Sequence, residues 1–351
     1  MGVIEHGGPD ALGVPRWDFS TNANACGPAP AVLRALRRCD AARYPDPAYQ
    51  ALRESLAALH GVRPERIVIS ASASEFIVRM TAAVARRWPS ATVGAPRPGY
   101  ADYAAAARAA GLALARRDQR ARLAWHAEPA SPDGGSVPID ACGAGTVQVI
   151  DCAYAPLRLT GAAPALPAAA WQLWTPNKAL GLPGVRAAYA IAPAAGEALR
   201  ERLAALAPSW PLGAHGVALL ESWTQAATHD WLRASLGRLA RWKQRQLECL
   251  SGLGWHCRPS VTPFFVARWD DGPPLSATLA RLRAHGVKLR DAASLGLPGW
   301  VRLSVQPPPA QRALLDAWRA SARPRGRAPA PPRSAARQTR RGGDSVNRPY
   351  P

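Results

Sequence analysis

Acidic residues are scarce in this chain. Only 24 Asp and Glu stand against 44 Lys and Arg among 351 residues, a formal net charge of +20. No apolar run approaches the roughly 20 residues that a membrane-spanning helix needs. Met1–Asp10 has neither a basic start nor an apolar stretch, so no secretory signal is expected. The six cysteines, Cys26, Cys39, Cys142, Cys152, Cys249 and Cys257, form no C-x-x-C pair and no ligand-like spacing. No metal is therefore expected, and the thiols read as buried and reduced. No internal repeat is visible. Together these absences predict a soluble cytoplasmic protein.

The positive charge raises the question of nucleic acid, and its distribution answers it. Residues 321–351 hold eight Arg and one Asp, +7 of the total, in a stretch rich in Pro, Gly, Ala and Ser. Such a segment lacks apolar periodicity and is expected to be a disordered basic tail. The remaining +13 is spread over Arg-rich helical stretches such as Arg34–Arg38 and Arg233–Arg245. That pattern reads as a solvated basic surface, with part of it available to a pocket for a doubly charged substrate. No nucleic-acid motif is present, and no aromatic residues interleave with the tail's arginines to stack bases. Nucleic acid is not expected as a partner.

What is present is an alternation. Pro47–His60 has apolar residues at helical spacing with Gly61 as a stop. Arg66–Ser70 is a β-branched run, Ser72–Arg87 reads as a helix, Thr92–Ala95 as a strand and Tyr103–Gly111 as a helix. Val147–Asp151, Trp171–Trp174 and Ala187–Ile191 continue the strands. This order predicts an α/β fold with a mainly parallel sheet covered by helices, and functional groups at the carboxyl ends of its strands. Beyond Pro208 the order changes. Helical stretches at Ala214–Thr228 and His229–Leu250 precede strand-like Phe264–Arg268, a helix at Leu275–His285, strand-like Trp300–Val305 and a helix at Pro309–Ala320. That half reads as a smaller α+β unit.

Two segments carry chemistry. In W-T-P-N-K-A-L-G-L-P-G-V-R, Trp174 to Arg186, a lysine sits in a Gly/Pro-rich turn, with a hydroxyl three residues before it and an arginine eight after. In V-I-D-C-A-Y, Val149 to Tyr154, an aspartate and a tyrosine stand three apart at a strand end, 27 residues before that lysine. Each alone is weak evidence. Together they resemble the class I/II aminotransferases, pyridoxal-phosphate enzymes of fold type I. The resemblance implies that Lys178 forms a Schiff base with pyridoxal 5'-phosphate, and that Thr175 and Arg186 hold the cofactor phosphate. It also implies that Asp151 pairs with the ring nitrogen and Tyr154 bonds the ring hydroxyl. A carboxylate there keeps the nitrogen protonated, so the ring can accept electrons.

Further landmarks follow in order. Ser70–Glu75 stands where the family places its phosphate-holding turn, with Ser72, Ala73 and Ser74 as the expected contacts at a helix N-terminus. Pro98-Gly99-Tyr100 resembles the turn that stacks an aromatic ring on the cofactor, with Tyr100 the first choice and Tyr103 the alternative. Arg43-Tyr44-Pro45-Asp46-Pro47 is similar to the segment whose tyrosine, here Tyr44, reaches the phosphate of a neighbouring subunit, which implies a homodimer with shared sites. Ser131 stands where the family has an asparagine, and Asn177 where it has Ser or Thr. The resemblance covers about residues 5–320. It implies an N-terminal arm (1–44) joined to the small domain, a large cofactor-binding domain (45–208), a small C-terminal domain (209–320) and the tail (321–351).

The reaction depends on substrate-anchoring groups. H-G-G-P from His6 and W-D-F-S-T-N-A-N-A-C-G-P from Trp17 resemble the opening of the threonine-phosphate decarboxylases of cobalamin biosynthesis, which are relatives of histidinol-phosphate aminotransferases. K-L-R-D (Lys288–Asp291) and W-V-R-L-S-V (Trp300–Val305) resemble two family arginine segments. The implied roles are a carboxylate clamp for Arg302, a phosphate contact for Arg290 helped by His6, and a substrate-site place for Asn22. Guanidinium suits such two-pronged pairing. The first expectation is decarboxylation of L-threonine O-3-phosphate to (R)-1-amino-2-propanol O-2-phosphate, a lyase activity. The alternative is histidinol-phosphate transamination with 2-oxoglutarate. A catalytically silent binding protein is the third reading, and the retained Lys178, Asp151, Tyr154 and Arg186 speak against it.

Overall fold

The computed structural model describes residues 7–116, 119–270 and 274–322. His6 and the tail beyond residue 322 lie outside the described residues. Among the described residues no helix is long and apolar enough to cross a membrane.

A short strand, β1 (Trp17–Asp18), is followed by α1 (Pro30–Arg38) and α2 (Gln50–His60). The start of α2 lies three residues beyond the expected Pro47. Asp46 is the reason: its carboxylate accepts the N–H groups of Ala48 at 2.9 Å and Gln50 at 2.8 Å, and so closes a turn before the helix begins. Gly61 ends α2 in the left-handed region, φ 61°, as the stop signal requires.

The first sheet takes β2 (Ile67–Ser70), then α3 (Ala73–Arg87), β3 (Thr92–Gly94), α4 (Ala101–Ala109), β4 (Ala113–Leu114), β5 (Leu123–Ala127), β6 (Val147–Asp151), β7 (Trp171–Trp174), β8 (Ala188–Ile191) and the covering helix α5 (Glu197–Ala205). Its order is β2-β8-β7-β6-β5-β3-β4. Every pairing is parallel except the two that β8 makes, with β2 and β7, so the sheet is mixed. Strands β2 and β8 are buried at every residue, as strands covered on both faces are. Strands β4 and β5 have no counterpart in the sequence expectation. Leu123–Ala127 reads LAWHA and lacks the β-branched residues that mark a strand; its burial between β3 and β6 decides its state.

The second half holds α6 (Ala214–Trp223), α7 (Ala226–Ser251), β9 (Trp255–Cys257), β10 (Phe264–Trp269), α8 (Leu275–Ala284), β11 (Val287–Lys288), β12 (Arg290–Asp291), β13 (Val301–Ser304) and α9 (Pro308–Ala322). Strands β12-β13-β10-β9 form an antiparallel sheet, and β1 pairs in parallel with β11, which brings the N-terminal segment beside it. Helix α9 runs two residues past the expected start of the tail.

The two sheets share one core, and one turn ties them through the backbone. Val261 N–H donates to Gly134 O at 2.8 Å, and Leu159 N–H donates to Val261 O at 2.7 Å. Gly134 has φ +74°, and a Cβ there would come within 2.3 Å of both Ser260 Oγ and Thr262 Oγ1. Lys243 fastens the same turn, donating from Nζ to Ser260 O at 2.5 Å and Thr262 O at 2.8 Å, and burial pulls its amine down to about 8.

Behind β7 and β8, His60 Nε2 lies 2.7 Å from the Tyr189 hydroxyl, which also accepts Trp223 Nε1–H at 3.1 Å. Burial first, then the proximity of His229, pulls His60 from 6.5 to about 4. A base depressed in the folded state is charged more readily when unfolded. Stability is thus expected to be intact above pH 6.5 and to fall as pH drops toward 4, by at most about 1.4 kcal/mol per pH unit. Urea midpoints at pH 7 and pH 5 measure this. An equal loss in a His60→Phe variant would assign it to other groups.

Candidate active site

A cavity of about 410 Å³ opens at the carboxyl ends of the first sheet's strands and is closed on its far side by the second sheet and the N-terminal arm. The strand ends supply its floor. After β2, Ser72, Ala73 and Ser74 line it; after β5, Ser131; at the end of β6, Asp151 and then Tyr154; after β7, Thr175 and Lys178.

Three features converge where an anion would sit. The first is the N-terminus of the 15-residue α3, whose unpaired amides and dipole favour negative charge. The second is Thr175, whose Oγ1 is buried without a hydrogen-bond partner. The third is Arg186, exposed at the rim. Ser72 and Ser74 have their side chains engaged elsewhere: Ser72 Oγ accepts Glu75 N–H at 3.1 Å, and Ser74 Oγ donates to Asp102 Oδ2 at 2.7 Å.

Asp151 is buried and held on both oxygens. Ala153 N–H donates to Oδ1 at 2.9 Å and the Tyr103 hydroxyl donates to Oδ2 at 2.8 Å. Tyr103 is fully buried and stacks on Trp125 at 5.0 Å, and burial, with Asp151 beside it, holds its phenol well above the ordinary value. Tyr100 meets Tyr103 edge-on at 5.6 Å. Both tyrosines line the cavity. Lys178 Nζ stands 4.5 Å from the Tyr154 ring centroid, and Asn22 Nδ2 lies 3.5 Å from the Tyr154 hydroxyl while Asn22 Oδ1 is buried without a partner.

The lysine turn is set by the arm. Asn24 N–H donates to Lys178 O at 2.9 Å, and Asn24 Nδ2 donates to Ala179 O at 2.9 Å. Gly181 has φ +70°, and a Cβ there would lie 2.5 Å from Gly27 O, so only glycine lets the two segments cross.

Arg290 and Arg302 are direct partners across the β12–β13 ladder, and both buried side chains line the cavity. Arg302 Nη2 donates to Ser20 O at 2.8 Å and its Nε has no hydrogen-bond partner among the described residues; Arg290 Nη2 donates to Ser294 Oγ at 2.7 Å. Burial pulls Arg302 below its usual value. Two like charges opposite each other on a sheet are costly. An arrangement of this kind makes chemical sense around an anion.

The cavity therefore brings together all the expected site residues except two. Tyr44 is 78% exposed and stacks on Trp210 at 4.4 Å, away from this chain's own cavity. His6 is outside the described residues, and its neighbour Gly7 lines the wall. Sequence reasoning passed over Asp102 and Thr21, which also line it; Thr21 lies within the segment that begins at Trp17 without being singled out there, and Asp102 stands in no motif, so only its spatial neighbours mark it.

These residues fit pyridoxal phosphate: an amine, a buried orphan hydroxyl beside a helix N-terminus, and a doubly anchored carboxylate face one cavity. Fold and site define a pyridoxal-phosphate-dependent enzyme of aminotransferase fold type I. Residues 16–128 and 166–316 match the family "Aminotransferase class I and II", and the chain belongs to it. The histidinol-phosphate aminotransferase of Ruegeria pomeroyi is 27% identical over 331 residues, 86% of this chain and 90% of its own. The solved histidinol-phosphate aminotransferase of Sinorhizobium meliloti, in complex with pyridoxal-5'-phosphate, matches with TM-score 0.73 and 23% identity over 88% of this chain and 91% of its own. The L-threonine-O-3-phosphate decarboxylase of Porphyromonas gingivalis matches with TM-score 0.70 and 19% identity over 86% and 98%.

Proposed function

We propose that this chain acts on a small amino compound that carries a phosphate, and that its reaction is amino-group transfer of the histidinol-phosphate type. The observation that carries the substrate class is the facing, buried pair Arg290 and Arg302 in the cavity wall. The names of the curated relatives support amino transfer.

When bound, pyridoxal phosphate supplies an electron sink for charge developing at the substrate's Cα. The amides of the α3 N-terminus, Thr175 and Arg186 would hold its phosphate, and Asp151 its ring nitrogen. Tyr154 and Ser131 would face its ring oxygen, and Tyr100 or Tyr103 its ring. The Lys178 amine moves the proton at Cα, standing beside Tyr154 in a turn that Asn24 fixes. Arg302 binds a carboxylate of the amino donor or acceptor, and Arg290, with Asn22 in the same wall, binds the second anion, the role in which the sequence resemblance adds His6. In a homodimer, Tyr44 would complete the partner's phosphate site.

Decarboxylation of L-threonine O-3-phosphate is the second reading. A specific observation favours it: the two segments that resemble those decarboxylases place Gly7, Thr21 and Asn22 in the same wall as the two arginines. Purified protein with pyridoxal phosphate is incubated with histidinol phosphate and 2-oxoglutarate, and separately with L-threonine O-3-phosphate. Glutamate in the first vial is the expected result. Carbon dioxide in the second, without glutamate in the first, would move the enzyme to the lyases. Silence in both would remove the phosphorylated substrate.

A further inference from the structure

Asp102 has no role in the reading above, yet its carboxylate faces the cavity beside the α3 N-terminus. Hydrogen accounting gives it one. The Ser74 hydroxyl has a single hydrogen, and Ser74 Oγ donates it to Asp102 Oδ2 at 2.7 Å. The Tyr100 hydroxyl lies 3.3 Å from the same Ser74 oxygen. Burial first, and then Asp102, push the Tyr100 phenol upward, so it keeps its hydrogen, with both Ser74 and Asp102 within its reach. Whichever of the two Tyr100 serves, the Ser74 hydrogen is committed to Asp102. What Ser74 then presents to an anion is a lone pair.

We propose that Asp102 is a positioning residue that withholds the Ser74 hydroxyl from the cofactor phosphate and so keeps the cofactor loosely held. The proposal rests on the reading above that the phosphate lies at the start of α3. A phosphate there and Asp102 compete for one hydrogen, and the carboxylate adds like charge to the same corner. The phosphate is left to the α3 amides, Thr175 and Arg186. An asparagine at 102 would reverse the direction: its amide can donate to Ser74 Oγ, which frees the serine hydrogen to turn toward the phosphate.

Equilibrium binding of pyridoxal 5'-phosphate, read by quenching of the tryptophan fluorescence, tests this without any assay of turnover. Asp102→Asn is expected to lower the dissociation constant about tenfold, the worth of one hydrogen bond to a charged group. Pyridoxal, which has no phosphate, should bind the variant and the unaltered protein alike. Ser74→Ala alone should change the affinity less than about threefold, and in the Asp102→Asn background it should remove most of the gain. An unchanged or weaker affinity in a folded Asp102→Asn protein overturns the proposal. So does a tenfold loss in Ser74→Ala alone, and that measurement decides the matter if the asparagine variant fails to fold. If the unaltered protein binds neither compound, it is the cofactor reading that fails instead.

Discussion

Replacing Lys178 with alanine is expected to cut turnover by at least about 10³-fold, because no other amine in the described cavity wall can move the proton at the substrate's Cα. The fold should survive. The turn that carries Lys178 is held by bonds from the Asn24 backbone and side-chain amides to its carbonyls and by the tight crossing at Gly181, and neither uses the lysine side chain. Far-ultraviolet circular dichroism should therefore match the unaltered protein, while the mass of the denatured protein shows no cofactor captured on the chain after borohydride reduction. Turnover within tenfold of the unaltered enzyme would remove Lys178 from the centre of the reaction. Lys178→Arg should be no better than alanine: a guanidinium stays charged at any working pH and offers no free electron pair.

The second large effect is expected at Arg302. Arg302→Ala should raise the KM for the carboxylate-bearing substrate about 100-fold, the worth of a desolvated two-pronged pair, and lower kcat less. Arg302→Lys should recover only part of this, since an ammonium restores the charge without the fork. Stability should move the other way. Arg302 is buried directly opposite Arg290, so its removal relieves a like-charge pair, and the melting temperature of the alanine variant should hold or rise. A residue kept only for structure would give the opposite pattern, with melting temperature lost and KM intact. That pattern would refute the clamp.

Both residues were visible in the sequence through resemblance to family segments, and for Lys178 the spacing of its neighbours carries that resemblance. Thr175, Lys178 and Arg186 occupy one turn, and Asp151 ends a strand whose apolar run is plain to read. The missing parts depend on distance in space. Strand β5 is made a strand by its neighbours β3 and β6 rather than by its own composition. The meaning of Asp102 lies in Ser74, 28 residues earlier, and that of Tyr103 in Asp151, 48 residues later. The facing of Arg290 and Arg302 requires a ladder register, and no local pattern encodes a register between segments joined by a turn of several residues.

That ladder has a consequence for selectivity. Directly opposed residues on antiparallel strands keep their Cα atoms about 4.5–5.5 Å apart, a spacing set by backbone hydrogen bonds rather than by side chains. The two guanidinium groups are therefore mounted on one stiff frame, further braced on the other side of Arg302 by its pairing with Val266. The backbone under one cannot shift without moving the backbone under the other. A ligand that answers both is gauged first by the span between its two anions, and only afterwards by the atoms that lie between them.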